Sequence, residues 1–178
     1  HFCVQRKNTE NHPTVSIFAL LQRAEFFIRA ANPAKDRAGV WKVTWIMKLT
    51  ETAVKGVFEA EPQVFGDNRG WFCETYSKKE LEKFGINADF VQDNRSFSAE
   101  KGTLRGLHCQ LNPTAQTKLI TCIRGSILDV AVDIRKGSPT YMKWVAVKLS
   151  QENKKMLFIP KGCLHGFVTL TDDVEISY

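Results

Sequence analysis

The run Leu104-Arg105-Gly106-Leu107-His108-Cys109-Gln110, followed by Lys118 at the head of an apolar stretch, sets a guanidinium, an imidazole and an ammonium close together in the chain. None of the three has the companions a metal site needs. The combination suits removal of a proton beside a carbonyl on an anionic substrate. A titratable imidazole accepts the proton, and fixed positive charge holds both the anion and the enolate that forms. Cys109 beside His108 invites a thiol nucleophile. Neighbours on a strand point to opposite faces, however, so the expectation is that Cys109 packs in the core.

Such groups need a rigid frame, and from Met47 onward the chain reads as one built of short strands. Segments 55–62 and 71–76 flank a turn-rich connection over 64–70. Ser77-Lys78-Lys79-Glu80 forms a capping box for a short helix, with Leu81 and Phe84 as apolar contacts and Gly85 as its stop. Lys118–Arg124 and 127–134 read as a hairpin closed through Gly125. Strands over 144–149, Met156–Ile159, 167–170 and 174–178 follow, with turn signals at 136–139, 160–162 and 172–173. Many short, evenly spaced strands predict an all-β sandwich or jelly-roll barrel with one short helix. No glycine-rich dinucleotide loop, Walker loop or internal repeat is present.

Residues 1–46 follow a different pattern. In 14–31, Ile17, Leu20, Leu21, Ala24, Phe27, Ile28 and Ala31 share one helical face ahead of Asn32-Pro33, which predicts an amphipathic helix. Gln22 and Arg23 interrupt the apolar run too early for a secretory signal. The chain is therefore expected to divide into an upstream extension, 1–46, and a domain over 47–178. Of the net charge of +6, the extension holds seven Lys/Arg against three Asp/Glu, leaving 18 against 16 for the rest. That balance gives no basic nucleic-acid surface, and no apolar run is long enough to span a membrane. Five scattered cysteines without a C-x-x-C argue against a disulfide framework or zinc site and for a reducing, cytoplasmic setting.

Two half-motifs, Gly102-x5-His108 and Pro160-x-Gly162-x2-His165, resemble those of cupin barrels, whose histidines point into the barrel mouth. The metal-binding version adds a second histidine and a glutamate to the first half. Here Gln110 stands in place of the former and no carboxylate supplies the latter, so no metal is expected. The resemblance then sharpens. Phe65-Gly66-Asp67-Asn68-Arg69-Gly70, Phe90-Val91-Gln92-Asp93-Asn94, the Leu104–Gln110 run, Lys118-Leu119, the stretch 129–135, and Ile159-Pro160-Lys161-Gly162-Cys163-Leu164-His165-Gly166-Phe167 occur in the order found in the dTDP-4-dehydrorhamnose 3,5-epimerase family. Residues 47–178 resemble the first three quarters of that family, and 1–46 have no counterpart.

The resemblance implies a cupin-like jelly roll that dimerises by strand sharing and needs no cofactor. It implies a base at His108, removing a proton next to the C4 ketone of a dTDP-sugar, and a general acid at Tyr178 on the opposite sugar face. Lys118 and His165 would bind or polarise the keto-sugar, with Arg105 nearby. Gln92, Asp93 and Asn94 match nucleotide-holding positions, and Arg69 and Glu74 match positions that reach the ligand partly across the dimer. Blander readings stand beside these. Arg69 could be a solvated turn residue, Lys118 an edge-strand lysine that discourages aggregation, and Tyr178 a core aromatic. Asp129 and Asp133 share a face, one toward a polar barrel mouth and one capping a turn, and they do not read as a paired-carboxylate site.

The resemblance stops at Tyr178, before the aspartate with which the family orients its catalytic histidine. The chain alone is therefore expected to turn over weakly or not at all, with nucleotide binding surviving. Three other functions fit the same residues: inversion at C3 or C5 alone or keto-sugar isomerisation, a catalytically silent sugar-nucleotide-binding cupin, and a metal cupin using His108 and His165.

Overall fold

Period-two alternation governs the described residues from Met47 on. Along Ser126–Asp133 the side chains of Ile127, Asp129, Ala131 and Asp133 are buried, and those between them are half-buried. The computed structural model describes residues 34–35, 41–42 and 47–178, and the chain divides into two units, His1–Thr44 and Trp45–Tyr178. In the first unit Ala34–Lys35 (β1) and Trp41–Lys42 (β2) pair antiparallel. The helix expected over 14–31 lies outside the described residues.

The second unit runs Met47–Glu51 (β3), Phe58–Pro62 (β4), Val64–Asp67 (β5), Gly70–Cys73 (β6), Lys78–Glu82 (α1), Arg95–Ser98 (β7) and Leu104–His108 (β8). It continues with Lys118–Arg124 (β9), Ser126–Asp133 (β10), Trp144–Ser150 (β11), Met156–Ile159 (β12), Cys163–Thr169 (β13) and Val174–Ser177 (β14). Two larger antiparallel sheets result, with strand orders β3-β4-β12-β9-β14-β7 and β11-β10-β13-β8, and β5-β6 forms a separate two-stranded one. The expected cupin-like jelly roll is what the chain forms.

Ile120, Cys122, Leu157, Ile159, Val174 and Ile176 from the larger sheet meet Ile127, Ala131, Val147, Leu149, Cys163 and Phe167 from the smaller. Each fully buried aliphatic side chain here contributes about 1.5–3 kcal/mol relative to exposure. The outer face of the larger sheet has its own cluster, where Met156, Phe158, Ala60 and Met47 lie against Leu81 and Ile86. β12 is therefore buried on both faces, which its unbroken apolar sequence allows.

Three expectations change. β9 and β10 form no hairpin: they belong to opposite sheets, and Gly125 (φ +73°) turns the corner between them. A single residue is too short for a two-residue hairpin turn. A side chain there would meet Thr171 Oγ1 at 2.6 Å and Val174 Cγ2 at 2.9 Å. The connection over 64–70 is itself a hairpin, β5 paired with β6. Around α1, Ser77 caps as expected, its side chain accepting from the Glu80 amide, and Gly85 takes the left-handed conformation after the helix. Phe84 is 43% exposed, however, and Ile86 fills the place expected for it.

Candidate active site

Gly106 and Gly166 set the site's geometry because they let β8 and β13 approach closely. A Cβ on Gly106 would fall 2.6 Å from the His165 carbonyl oxygen, and one on Gly166 would fall 2.7 Å from the Arg105 carbonyl oxygen. Gly106 also holds φ +101°, a backbone region that side chains avoid. The register shifts between His165 and Phe167, and His108 then stands directly across from His165. Their rings meet edge to face with centroids 5.7 Å apart.

Strand alternation supplies the rest of the cluster. On β9, Lys118 shares the inward face of Ile120 and Cys122 and is only 7% exposed. β9 lies in the middle of its sheet, so the edge-strand reading of this lysine fails. On β10, Asp129 faces inward and its Oδ1 lies 2.7 Å from His165 Nε2. Tyr178 follows β14 on the face of Val174 and Ile176, packed against the core, with Lys118 Nζ 6.0 Å from its ring centroid. His108, Lys118, His165 and Tyr178 are thus brought together as the residue types required.

The electrostatics favour a neutral base. Desolvation, then the charge of Lys118, then His165 hold the His108 imidazole below its ordinary pKa. Burial also lowers the Lys118 ammonium, opposed by Cys109 and Asp129. Burial raises Asp129, against the pull of His165 and Lys118. His165 Nδ1 and Asp129 Oδ2 are buried and find no hydrogen-bond partner among the described residues. Cys109 is half-buried just past the end of β8 and belongs to neither core cluster, so the core position expected for it is wrong. The ladder has ended by that residue, and alternation no longer decides its direction.

Beside the mouth lies a cavity of about 630 Å³. Phe90, Gln92, Asn94, Gln116, Lys118 and Tyr178 are among its lining residues, so Lys118 and Tyr178 join cavity and cluster. Asp93, between Gln92 and Asn94, is exposed and outside the lining. Arg105 braces the two sheets: its Nε donates to Ser98 Oγ at 3.1 Å and its Nη2 to the Phe97 carbonyl at 2.9 Å. Arg69, in the β5–β6 turn, is paired with Asp67 at 2.6 Å. Glu74 follows β6, its carboxyl raised by burial and by Glu80. Neither Arg69 nor Glu74 lines the cavity.

The residue that sequence reasoning passed over as a ligand-side group is Asp129. Its signal was a carboxylate alternating with Ile127 and Ala131 on a core face, a place that requires a polar partner. Among the described residues no three of His, Cys, Asp or Glu are grouped as metal ligands would be. What the cluster can do is take a proton at a neutral imidazole, steady negative charge with a buried ammonium, and return a proton from a phenol.

Residues 51–178 match the family model described as dTDP-4-dehydrorhamnose 3,5-epimerase. The chain is 53% identical over 133 residues to the dTDP-4-dehydrorhamnose 3,5-epimerase of Shigella flexneri, a match covering 74% of this chain and 73% of that protein. It is similar in structure to the Bacillus anthracis enzyme of the same name solved with TDP and PPi bound (TM-score 0.72, 51% identity, 74% of this chain and 75% of that one). The Legionella pneumophila dTDP-6-deoxy-D-glucose-3,5-epimerase, solved with dTDP-4-keto-L-rhamnose, is also similar (TM-score 0.70, 44% identity, 74% and 70% covered).

Proposed function

This chain belongs to the dTDP-4-dehydrorhamnose 3,5-epimerase family, and from that premise we propose that it inverts C3 and C5 of dTDP-4-keto-6-deoxy-D-glucose to give dTDP-4-keto-L-rhamnose, without a cofactor. One observation carries the reading. The base and the acid come from opposite walls of the barrel, His108 from the four-stranded sheet and Tyr178 from the end of a strand in the six-stranded sheet. Inversion requires that arrangement, because the proton must leave one face of the sugar and return to the other.

C3 and C5 both flank the C4 ketone, so loss of either proton gives an enolate on the same oxygen. The buried Lys118 ammonium and the His165 ring stand where that charge needs a partner, inside a wall with little water to screen them. Asp129 holds His165 at Nε2 and fixes its orientation. Tyr178 delivers a proton to the opposite face, and solvent restores both groups.

The domain doing this spans 47–178, with 1–46 an extension outside it. A homodimer formed by strand sharing fits the β5–β6 hairpin, on which Val64, Trp71 and Phe72 are exposed. The free thiols at Cys73, Cys109, Cys122 and Cys163 fit a cytoplasmic setting. Among the described residues no helix is long and apolar enough to cross a membrane.

Reaction in deuterium oxide tests the proposal. Label at both C3 and C5 is expected, and His108→Ala should slow exchange by about 10²–10⁴-fold while dTDP still binds. Label at one carbon alone means a single-site epimerase. Binding without exchange in the unaltered protein means a silent binder.

A further inference from the structure

The hydrogen bonds around Asn94 give it a task distinct from holding the nucleotide. The ladder between β7 and β14 continues one pair beyond both strands. The Asn94 amide donates to the Tyr178 main-chain oxygen at 2.8 Å, and the Tyr178 amide donates back to the Asn94 carbonyl at 3.0 Å. The Asn94 side chain adds a third bond, Nδ2 donating to that same Tyr178 oxygen at 3.3 Å. Its Oδ1 accepts from Gln92 Nε2 at 2.7 Å. Residues 87–94 form no ladder of their own; Ala88 and Phe90 pack on the outer face of the larger sheet, and Asn94 ties the end of the segment to the barrel by main-chain bonds. Gln92, Asn94, Lys118 and Tyr178 all line the one cavity.

We propose that Asn94 is a positioning residue for Tyr178, and that Gln92, by clamping the Asn94 amide, links the nucleotide end of the cavity to placement of the acid. In a hydrogen-bonded antiparallel pair the two side chains lie side by side on one face. The Asn94 side-chain amide holds the Tyr178 main-chain oxygen, and so sets the main-chain plane from which the ring projects. The Gln92 amide is bonded to Asn94, and the Asn94 amide in turn to Tyr178. A ligand group that bonds to Gln92 acts on the acid through Asn94. The inference rests on the reading of Tyr178 as the acid.

The two proton transfers separate the role. His108 can remove a proton and return deuterium to the same face without Tyr178, which labels recovered substrate but does not invert it. Asn94→Ala should lower the inversion kcat by about 10- to 100-fold, the cost of misplacing a reacting group by about an ångström. Exchange into recovered substrate should fall far less, because His108 removes its proton without the misplaced group. Asn94→Asp keeps the shape and both main-chain bonds but loses the donor, so it should show the same split. It also guards against an alanine variant that does not fold. Exchange and inversion falling together with a raised KM would make Asn94 a ligand contact and overturn the proposal, as would wild-type behaviour in both variants. Intact inversion in Tyr178→Phe would instead remove the acid assignment itself, and the positioning role with it.

Discussion

Two aspartates on one strand, on one face and equally buried, meet opposite fates. Asp133, near the end of β10, accepts from the Arg135 amide at 3.0 Å, Arg135 Nε and Nη2 at 2.8 Å each, Ser138 Oγ at 2.5 Å and Thr140 Oγ1 at 2.7 Å. These donors, Arg135 first, hold its carboxyl far below the ordinary range. Asp129, two periods of alternation further in, bonds to His165, has no partner for Oδ2 among the described residues, and is raised by burial. Asp133, the last residue of β10, sits beside a loop that curls back to satisfy it, whereas Asp129 faces the His165 and Lys118 side chains from within the strand. A carboxylate with every lone pair engaged is a brace. One left half-satisfied at low dielectric is costly, and such cost is kept where chemistry needs it.

The sharpest way to break the contrast is Asp133→Ala. It leaves the Arg135 guanidinium, two hydroxyls and an amide without their acceptor. The expected loss is about 3 kcal/mol, as for other buried pairs stripped of one partner. Equilibrium urea unfolding measures it, and a loss under about 1 kcal/mol would mean the network is not a brace. The pH dependence follows with a definite sign. A folded-state pKa below the unfolded value of about 3.9 gives stability that is complete above that pH and is lost as pH falls toward the folded value. Asp133→Asn should therefore flatten the acid limb of the stability curve below about pH 4.

Asp129→Asn should do the reverse. Its folded pKa is raised, so the folded state binds the proton more tightly, and stability declines as pH rises from the unfolded value through the folded one. A neutral amide removes that penalty. Unfolding at pH 7 should show stability unchanged or higher by about 1 kcal/mol, while turnover drops about tenfold or more as His165 loses its orienting charge. A variant that loses both stability and turnover would place Asp129 with Asp133 as a brace.

The shared face of these two aspartates was legible in the sequence, because alternation is local. Their separation into brace and site residue was legible only in part. Every donor to the Asp133 carboxylate lies within seven residues, in a stretch already marked by Gly137-Ser138-Pro139, but the Asp129 partner is 36 residues away on another strand. The same limit explains the corner at Gly125. Two good strands joined through a glycine read as a hairpin until the sheets they join are known. His108, Lys118, His165 and Tyr178 were singled out from residue type and family resemblance, and the structure sets His108 against His165 and Lys118 near Tyr178. The Asn94–Tyr178 pairing, 84 residues apart, left no local trace. The closeness of β8 to β13 was not legible: Gly106 and Gly166 stand inside the two motifs, but nothing local says which strand each one lets near.

The smallest expected effect tests whether Asp133 braces the loop that reaches it. Met142 lies in that loop at φ +63°, a left-handed conformation costing a side chain about 1–2 kcal/mol, and its amide donates to the Asp133 carbonyl at 2.7 Å. Its side chain is largely exposed, so little packing is lost on truncation. Met142→Gly removes the steric cost but frees the unfolded chain by about 0.4–1 kcal/mol, leaving a net gain of about 0.5 kcal/mol. If the Asp133 network is what enforces the left-handed turn, the two sites are coupled. In an Asp133→Ala background the loop relaxes, the strain at Met142 is already relieved, and the glycine should gain nothing or lose stability. A double-mutant cycle in urea reads this directly. Equal increments in both backgrounds would show that the turn holds its shape without the carboxylate, and the brace would then end at Arg135.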